Sequence, residues 1–115
     1  MADNELNQRL FNFAVRTIKF VKTLPNSPEM QVIRYQLIKS SSSSGANYEE
    51  SQAGSSRADF INKVRISLRK MRESNYWLRL IKATVDKVYD ENEIEWLMTE
   101  SSELKKILGS IVRKS

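Results

Sequence analysis

The sequence contains neither cysteine nor histidine. Without cysteine there can be no disulfide, no thiolate nucleophile and no thiolate zinc site. Without histidine there is no imidazole ligand, no Ser-His or Cys-His pair, and none of the Glu-x-x-His motifs of di-iron bundles. Missing cysteine also fits a reducing compartment. Glycine and proline are scarce, at 3 and 2 residues, and both prolines (Pro25 and Pro28) fall within four positions. All-β chains spend these residues on many turns, so their scarcity favours a few long helices. The start, MADNELNQRL, is polar and acidic rather than leader-like. No apolar run approaches the roughly 20 residues of a membrane span. The expected location is therefore the cytoplasm, with no membrane partner.

What is present is ordinary for one globular domain: 115 residues, 40% hydrophobic and 29% charged. The apolar residues recur in steps of three and four, the mark of amphipathic helices. Leu6, Leu10, Phe13, Ala14, Ile18, Val21 and Leu24 define a first helix over about 4–24. Pro25 disfavours helical geometry at Leu24, while Ser27 can cap a second helix with Pro28 in its first turn. That second helix opens on Met30, Ile33 and Leu37 and runs into KSSSSSGANYEES. Composition reads this tract as a flexible linker. The periodicity, through Ser40 or Ser41, Ser44 and Asn47 or Tyr48, reads it as a helix face lined with small residues, a seam that lets a neighbour approach. From the residues alone both readings stand. The break falls around Ala53 to Ser56, where Gly54 can end a helix and Ser55 or Ser56 can cap the next. A third helix over about 56–88 carries the stripe Phe60, Val64, Ser67, Leu68, Met71, Asn75, Leu78, Ile81, Val85 and Val88. It would span roughly 48 Å, long for so small a domain, which suggests that part of it serves association. A fourth, about 92–113, carries Ile94, Leu97, Ser101, Leu104, Leu108 and Ile111, with acids first and bases last, as the helix dipole favours. The fold class expected is all-α: one antiparallel, up-down-up-down four-helix bundle over 1–115.

The net charge of +5 is mild, but the third segment holds nine Lys and Arg against three Asp and Glu. Arg65, Arg69, Arg72 and Arg79 share one face of it, with Tyr76 among them and Lys63 and Lys70 nearby. Guanidinium forks pair with phosphate oxygens and a ring can stack on a base, so the row suits a nucleic-acid backbone. The competing reading is a solvated face whose arginines pair with acids of neighbouring helices.

The other candidates point to structure. Glu49, Glu50, Asp59 and Glu73 have no spacing that demands acid–base or metal chemistry, so no catalytic, cofactor or metal residue is assigned. Asn47 and Asn75 lie on apolar stripes, where an amide can fix register. Ser40 to Ser44 lack the lysine of a phosphate-binding loop. Trp77, Leu80 and Trp96 lie off the main stripes and are candidates for an oligomer contact.

LFNFAVRTIKFVKTLP, YQLIKSSSSSGANYEES, SRADFINKVRISLRKMRESNYWLRLI and ELKKILGSIVRK, in this order, resemble the bacterial four-helix-bundle proteins encoded by intervening sequences of 23S ribosomal RNA genes. The telling pieces are Leu24-Pro25, Gln36-Leu37, the Ser-Ser-Gly-Ala-Asn-Tyr-Glu-Glu tract, Asp59-Phe60, and Glu73 followed by Tyr76-Trp77-Leu78. A more distant resemblance is to the accessory protein of diversity-generating retroelements, which works beside a reverse transcriptase. The resemblance implies that the serine tract is helical, with Ser41, Ser44, Gly45, Asn47 and Tyr48 in a packing seam. It implies a homo-oligomer, a pentamer in related proteins, and no enzymatic activity. RNA binding is the expectation that follows from where such genes lie. The alternative is a scaffold for a protein partner such as a reverse transcriptase. The chain departs from the family pattern in its longer serine run and in Tyr48, where an aliphatic residue is expected.

Overall fold

The computed structural model describes residues 3–53, 56–86 and 89–115. Four helices account for most of them: α1 (Asp3–Val21), α2 (Pro28–Gln52), α3 (Arg57–Thr84) and α4 (Glu91–Arg113). Side chains along the helix boundaries set the pairing. Arg9 and Arg16 of α1 meet Glu100 and Glu93 of α4. Ser40 and Ser44 of α2 meet Ser74 and Ser67 of α3. Asn75 and Lys82 of α3 meet Ser101 and Glu95 of α4. In every pair the number rises on one helix as it falls on the other, so neighbouring helices are antiparallel. Each helix packs against two others, with α1 diagonal to α3 and α2 to α4.

α1 is shorter than its apolar stripe suggests: it ends at Val21, not Leu24. The Thr23 amide and hydroxyl both donate to the Phe20 carbonyl, at 3.0 and 2.7 Å, and turn the chain. Leu24 is buried but sits in that turn. The carbonyls left free at a helix end need donors. Arg34 of α2 supplies them, donating to Val21 O (3.1 Å), Leu24 O (3.1 Å) and Pro25 O (3.0 Å). The second boundary is as the sequence predicts: Ser27 accepts from the Met30 amide at 3.2 Å, with Pro28 in the first turn.

The serine tract is helical. α2 runs unbroken through it and buries Ser40, Ser41, Ser44, Tyr48 and Ser51. Between α2 and α3 the serines replace apolar contact with a short polar ladder. The Ser44 hydroxyl donates to Ser67 O at 2.9 Å and that of Ser67 to Ser44 O at 2.7 Å. Ser40 and Ser74 share a hydroxyl contact of 2.8 Å. Every buried hydroxyl on this ladder is satisfied, as burial requires. Gly45 belongs to a different contact: it faces Leu10 of α1, and a Cβ there would meet the Leu10 Cβ at 3.4 Å, an ordinary van der Waals distance. Asn47 does not bridge helices. Its amide donates to Ser43 O (2.9 Å) and Ser43 Oγ (3.1 Å) within α2.

Ser56 caps α3 by accepting from the Asp59 amide at 3.0 Å, one of the two residues the sequence nominates. The other, Ser55, together with Gly54, lies outside the described residues. At its far end α3 stops at Thr84, with Val85 extended as its C-cap. The helix over 56–88 is thus too long by a turn, and Val88 lies outside the described residues. Its 28 residues span roughly 42 Å, within the 46 Å long axis of the molecule. Its length therefore carries no argument for association.

Between α1 and α4, Arg9 makes a two-pronged pair with Glu100 (3.0 and 2.7 Å) and Arg16 one with Glu93 (2.9 and 2.6 Å). Hydrogen bonding to the carboxylate, against an opposing desolvation, raises each guanidinium pKa above the usual arginine value. Arg16 also lies 3.5 Å from the centre of the Trp96 ring.

Candidate nucleic-acid interface

At 3.6 residues per turn, Arg65, Arg69, Arg72, Tyr76 and Arg79 fall within about 80° of one another around α3. All are exposed, Tyr76 by 49%. Among the described residues no carboxylate oxygen lies within 4.0 Å of Arg65, Arg69 or Arg72. The internal neutralisation that would have made the row a mere solvated face is thus missing for these three. The Arg79 guanidinium stands 5.6 Å from the Tyr76 ring, and Tyr76 meets Trp77 edge-on at 5.3 Å. The expectation that Lys63 and Lys70 reinforce this row fails on geometry. Both are half-buried on the opposite flank, beside α2, and Lys70 pairs with Glu73 at 3.5 Å.

The row does not stand alone. Its Arg72–Arg79 edge faces α4, and because α3 and α4 run antiparallel, the basic end of α4 lies alongside it. Arg72, Arg79, Lys105, Lys106 and Arg113 converge on a groove of about 450 Å³, and no acidic side chain lines it among the described residues. Asn75 forms part of its wall. This amide is 7% exposed and donates to Ser101 Oγ at 2.8 Å, pinning α3 to α4. Its oxygen accepts from Arg79 Nε at 3.0 Å, which fixes the guanidinium and leaves its remaining N–H groups free to turn toward the groove. Gly109 is buried beneath the α4 side, where an added Cβ would come within 3.3 Å of Arg113 Nη1. A residue without a side chain there gives the Arg113 head room to lie across the helix.

α4 thus sorts its charge around the helix as well as along it. Glu93 and Glu100 face α1, where arginines neutralise them, and Glu95 faces Lys82. Lys105, Lys106 and Arg113 face α3, where only more cations await. Their position late in α4 points, in the sequence, only to the helix dipole. The signal that could have found them was the antiparallel order, which brings the last turns of α4 beside the arginine row.

The expected oligomer residues sit differently from the exposed position their off-stripe placement suggested. Trp77, Leu80 and Trp96 are half-buried and packed on the core, Trp96 under Arg16. Among the described residues, the large apolar side chains that do face solvent are Phe11 (60% exposed), Val32, Tyr35 (61%) and Tyr76. Phe11 borders a second depression, about 430 Å³, between α1 and α2, lined by Ala14, Val15, Ile18 and Ala46 with Glu49 at its edge. Among the described residues no group of three or more acidic side chains could hold a metal ion, and no helix is long and apolar enough to cross a membrane.

Residues 2–110 match the family described as 23S rRNA-intervening sequence protein. The fold is similar to a crystal structure of a protein of unknown function from the S23 ribosomal protein family of Bacteroides thetaiotaomicron, with 36% identity and a TM-score of 0.81, over 93% of this chain and 97% of that one. No curated protein matches the sequence. A family match over nearly the whole chain, together with a solved relative of similar fold at 36% identity, settles the family: the chain belongs to the 23S rRNA-intervening sequence proteins.

Proposed function

We propose that this protein is a non-enzymatic bundle that binds RNA, or another nucleic acid, through the exposed arginines of α3 and the groove they share with α4. One observation carries the reading: among the described residues, five cationic side chains and no acid line a single concavity. Like charges held this close repel one another, and an arrangement of that kind is useful when a polyanion supplies the balance. Arg65 and Arg69 extend the positive surface along α3 beyond the groove, a path along which a strand of phosphates could lie. The family's description, which refers to ribosomal RNA genes, is consistent with an RNA ligand. Titration of a structured RNA into the protein at low salt tests the reading. Binding that weakens steeply as salt rises supports it, and no binding at low salt refutes it.

Self-association is the second part of the proposal, with copies meeting at the α1–α2 depression. The observation favouring it is the exposed Phe11 beside an apolar cleft, since such clefts mark contact surfaces. A pentamer is the number that the family resemblance implies. Light scattering coupled to size-exclusion chromatography gives the count, and Phe11→Glu should lower it. Should the assembly bind no nucleic acid, the scaffold reading, with a protein such as a reverse transcriptase as partner, replaces the first.

A further inference from the structure

The basic surface of α3 and the α3–α4 groove differ in charge density. Arg65 and Arg69 lie in an open row. In the groove, five cations surround about 450 Å³, the volume of a sphere roughly 10 Å across. Successive phosphodiesters carry one charge each and are separated by sugars, so about two charges of one strand fit such a space. That leaves most of the groove's positive charge unmatched. Phosphates joined directly to one another pack their charge far more tightly, and a terminal phosphate carries up to about two charges by itself. Guanidinium forks and ammonium groups converging from two helices suit that kind of ligand. Two features pre-set the geometry. Asn75 holds Arg79 through Nε, and Gly109 leaves space for the Arg113 head.

We infer that the α3–α4 groove is a site for a cluster of linked phosphates, a 5′-triphosphate or free polyphosphate, rather than for isolated phosphodiesters. The inference rests on the reading of the basic face as a nucleic-acid surface, and it names the chemical group taken by the concave part of that face. The convex row, Arg65 and Arg69, contacts the rest of the strand. An RNA bearing a 5′-triphosphate would then be bound by its end, with the following phosphodiesters running along α3.

The test compares one short RNA carrying either a 5′-triphosphate or a 5′-hydroxyl, with tripolyphosphate and inorganic phosphate as competitors, against the full chain in its native assembly. The triphosphate RNA should bind at least about tenfold more tightly, the size of one charge-assisted contact. Tripolyphosphate should erase that preference and inorganic phosphate should not. The exposed pair Lys106→Glu and Arg113→Glu should abolish the preference. Arg65→Glu with Arg69→Glu should weaken both RNAs equally and keep the ratio. Circular dichroism checks that each variant remains folded, and Lys106→Gln with Arg113→Gln gives a milder variant should the charge reversal unfold the chain. Equal affinity for the two RNAs overturns the inference while leaving the nucleic-acid reading intact. Tripolyphosphate binding without binding of either RNA supports the polyphosphate site, identifies the free anion as its source and removes the nucleic-acid reading. Binding of none of these probes overturns both.

Discussion

Replacing Ser44 with leucine should break the contact between α2 and α3. Ser44 is fully buried, and its hydroxyl donates to Ser67 O at 2.9 Å while Ser67 returns a bond to Ser44 O at 2.7 Å. Leucine removes one hydrogen bond, about 1 kcal/mol. It also forces a larger side chain into a fully packed seam, which costs about 1–3 kcal/mol. The loss is about 2–4 kcal/mol of a total that for such domains is about 5–15 kcal/mol, or on the order of 10–15 °C in Tm. Urea denaturation followed by circular dichroism at the helix band measures it. Ser44→Ala isolates the hydrogen bond and should lose only about 1 kcal/mol. Ser42, exposed two residues away on the same helix, serves as control: Ser42→Ala should stay within about 0.5 kcal/mol of the parent. A Ser44→Leu protein as stable as the parent would refute the seam, because only a solvent-facing segment could absorb that change without cost.

Three further changes probe other contacts. Gly45→Ala should stabilise the protein by up to about 1 kcal/mol in the same denaturation assay, because the new methyl meets Leu10 at an ordinary 3.4 Å and mid-helix glycine is disfavoured. The Thr17 hydroxyl is fully buried with no hydrogen-bond partner among the described residues, so Thr17→Val should gain about 1 kcal/mol in thermal unfolding. The Arg9 and Arg16 pKa values are raised by Glu100 and Glu93, so their share of stability is complete below the ordinary arginine value and is lost as pH rises from there through the raised one. Arg16→Gln should therefore lower Tm by the same amount at pH 7 and pH 10, and a difference that disappears by pH 10 would contradict this sign.

The helices were legible because burial imposes a period of three to four residues, and the period survives even where the residues are serine. Ser40, Ser41, Ser44 and Ser51 keep the spacing of Met30, Ile33 and Leu37, and all are buried. Helix ends were less legible. Val85 continues the stripe of α3 beyond its last helical residue, and Leu24 continues that of α1, because a side chain packed on the core can belong to the connection as well as to the helix. The end of α1 is fixed by Arg34, thirteen residues beyond Val21, which no local pattern announces. The arginine row was visible as a face of one helix. The groove was not, since it exists only where α3 and α4 lie side by side, and three of its five cations come from α4. Trp96 shows the same limit: its place off the stripe suggested exposure, whereas an arginine from α1 covers it.

The central claim is that the α3 arginines and the α3–α4 groove together form a phosphate-binding surface. The salt dependence of RNA affinity tests it most directly, measured for the parent and for Arg72→Gln with Arg79→Gln. Each lost phosphate contact on a single strand should lower the slope of log affinity against log salt by about 0.7, so the pair should lower it by about 1.4. An unchanged slope, with folding intact, would mean that the phosphates lie elsewhere and would contradict the account.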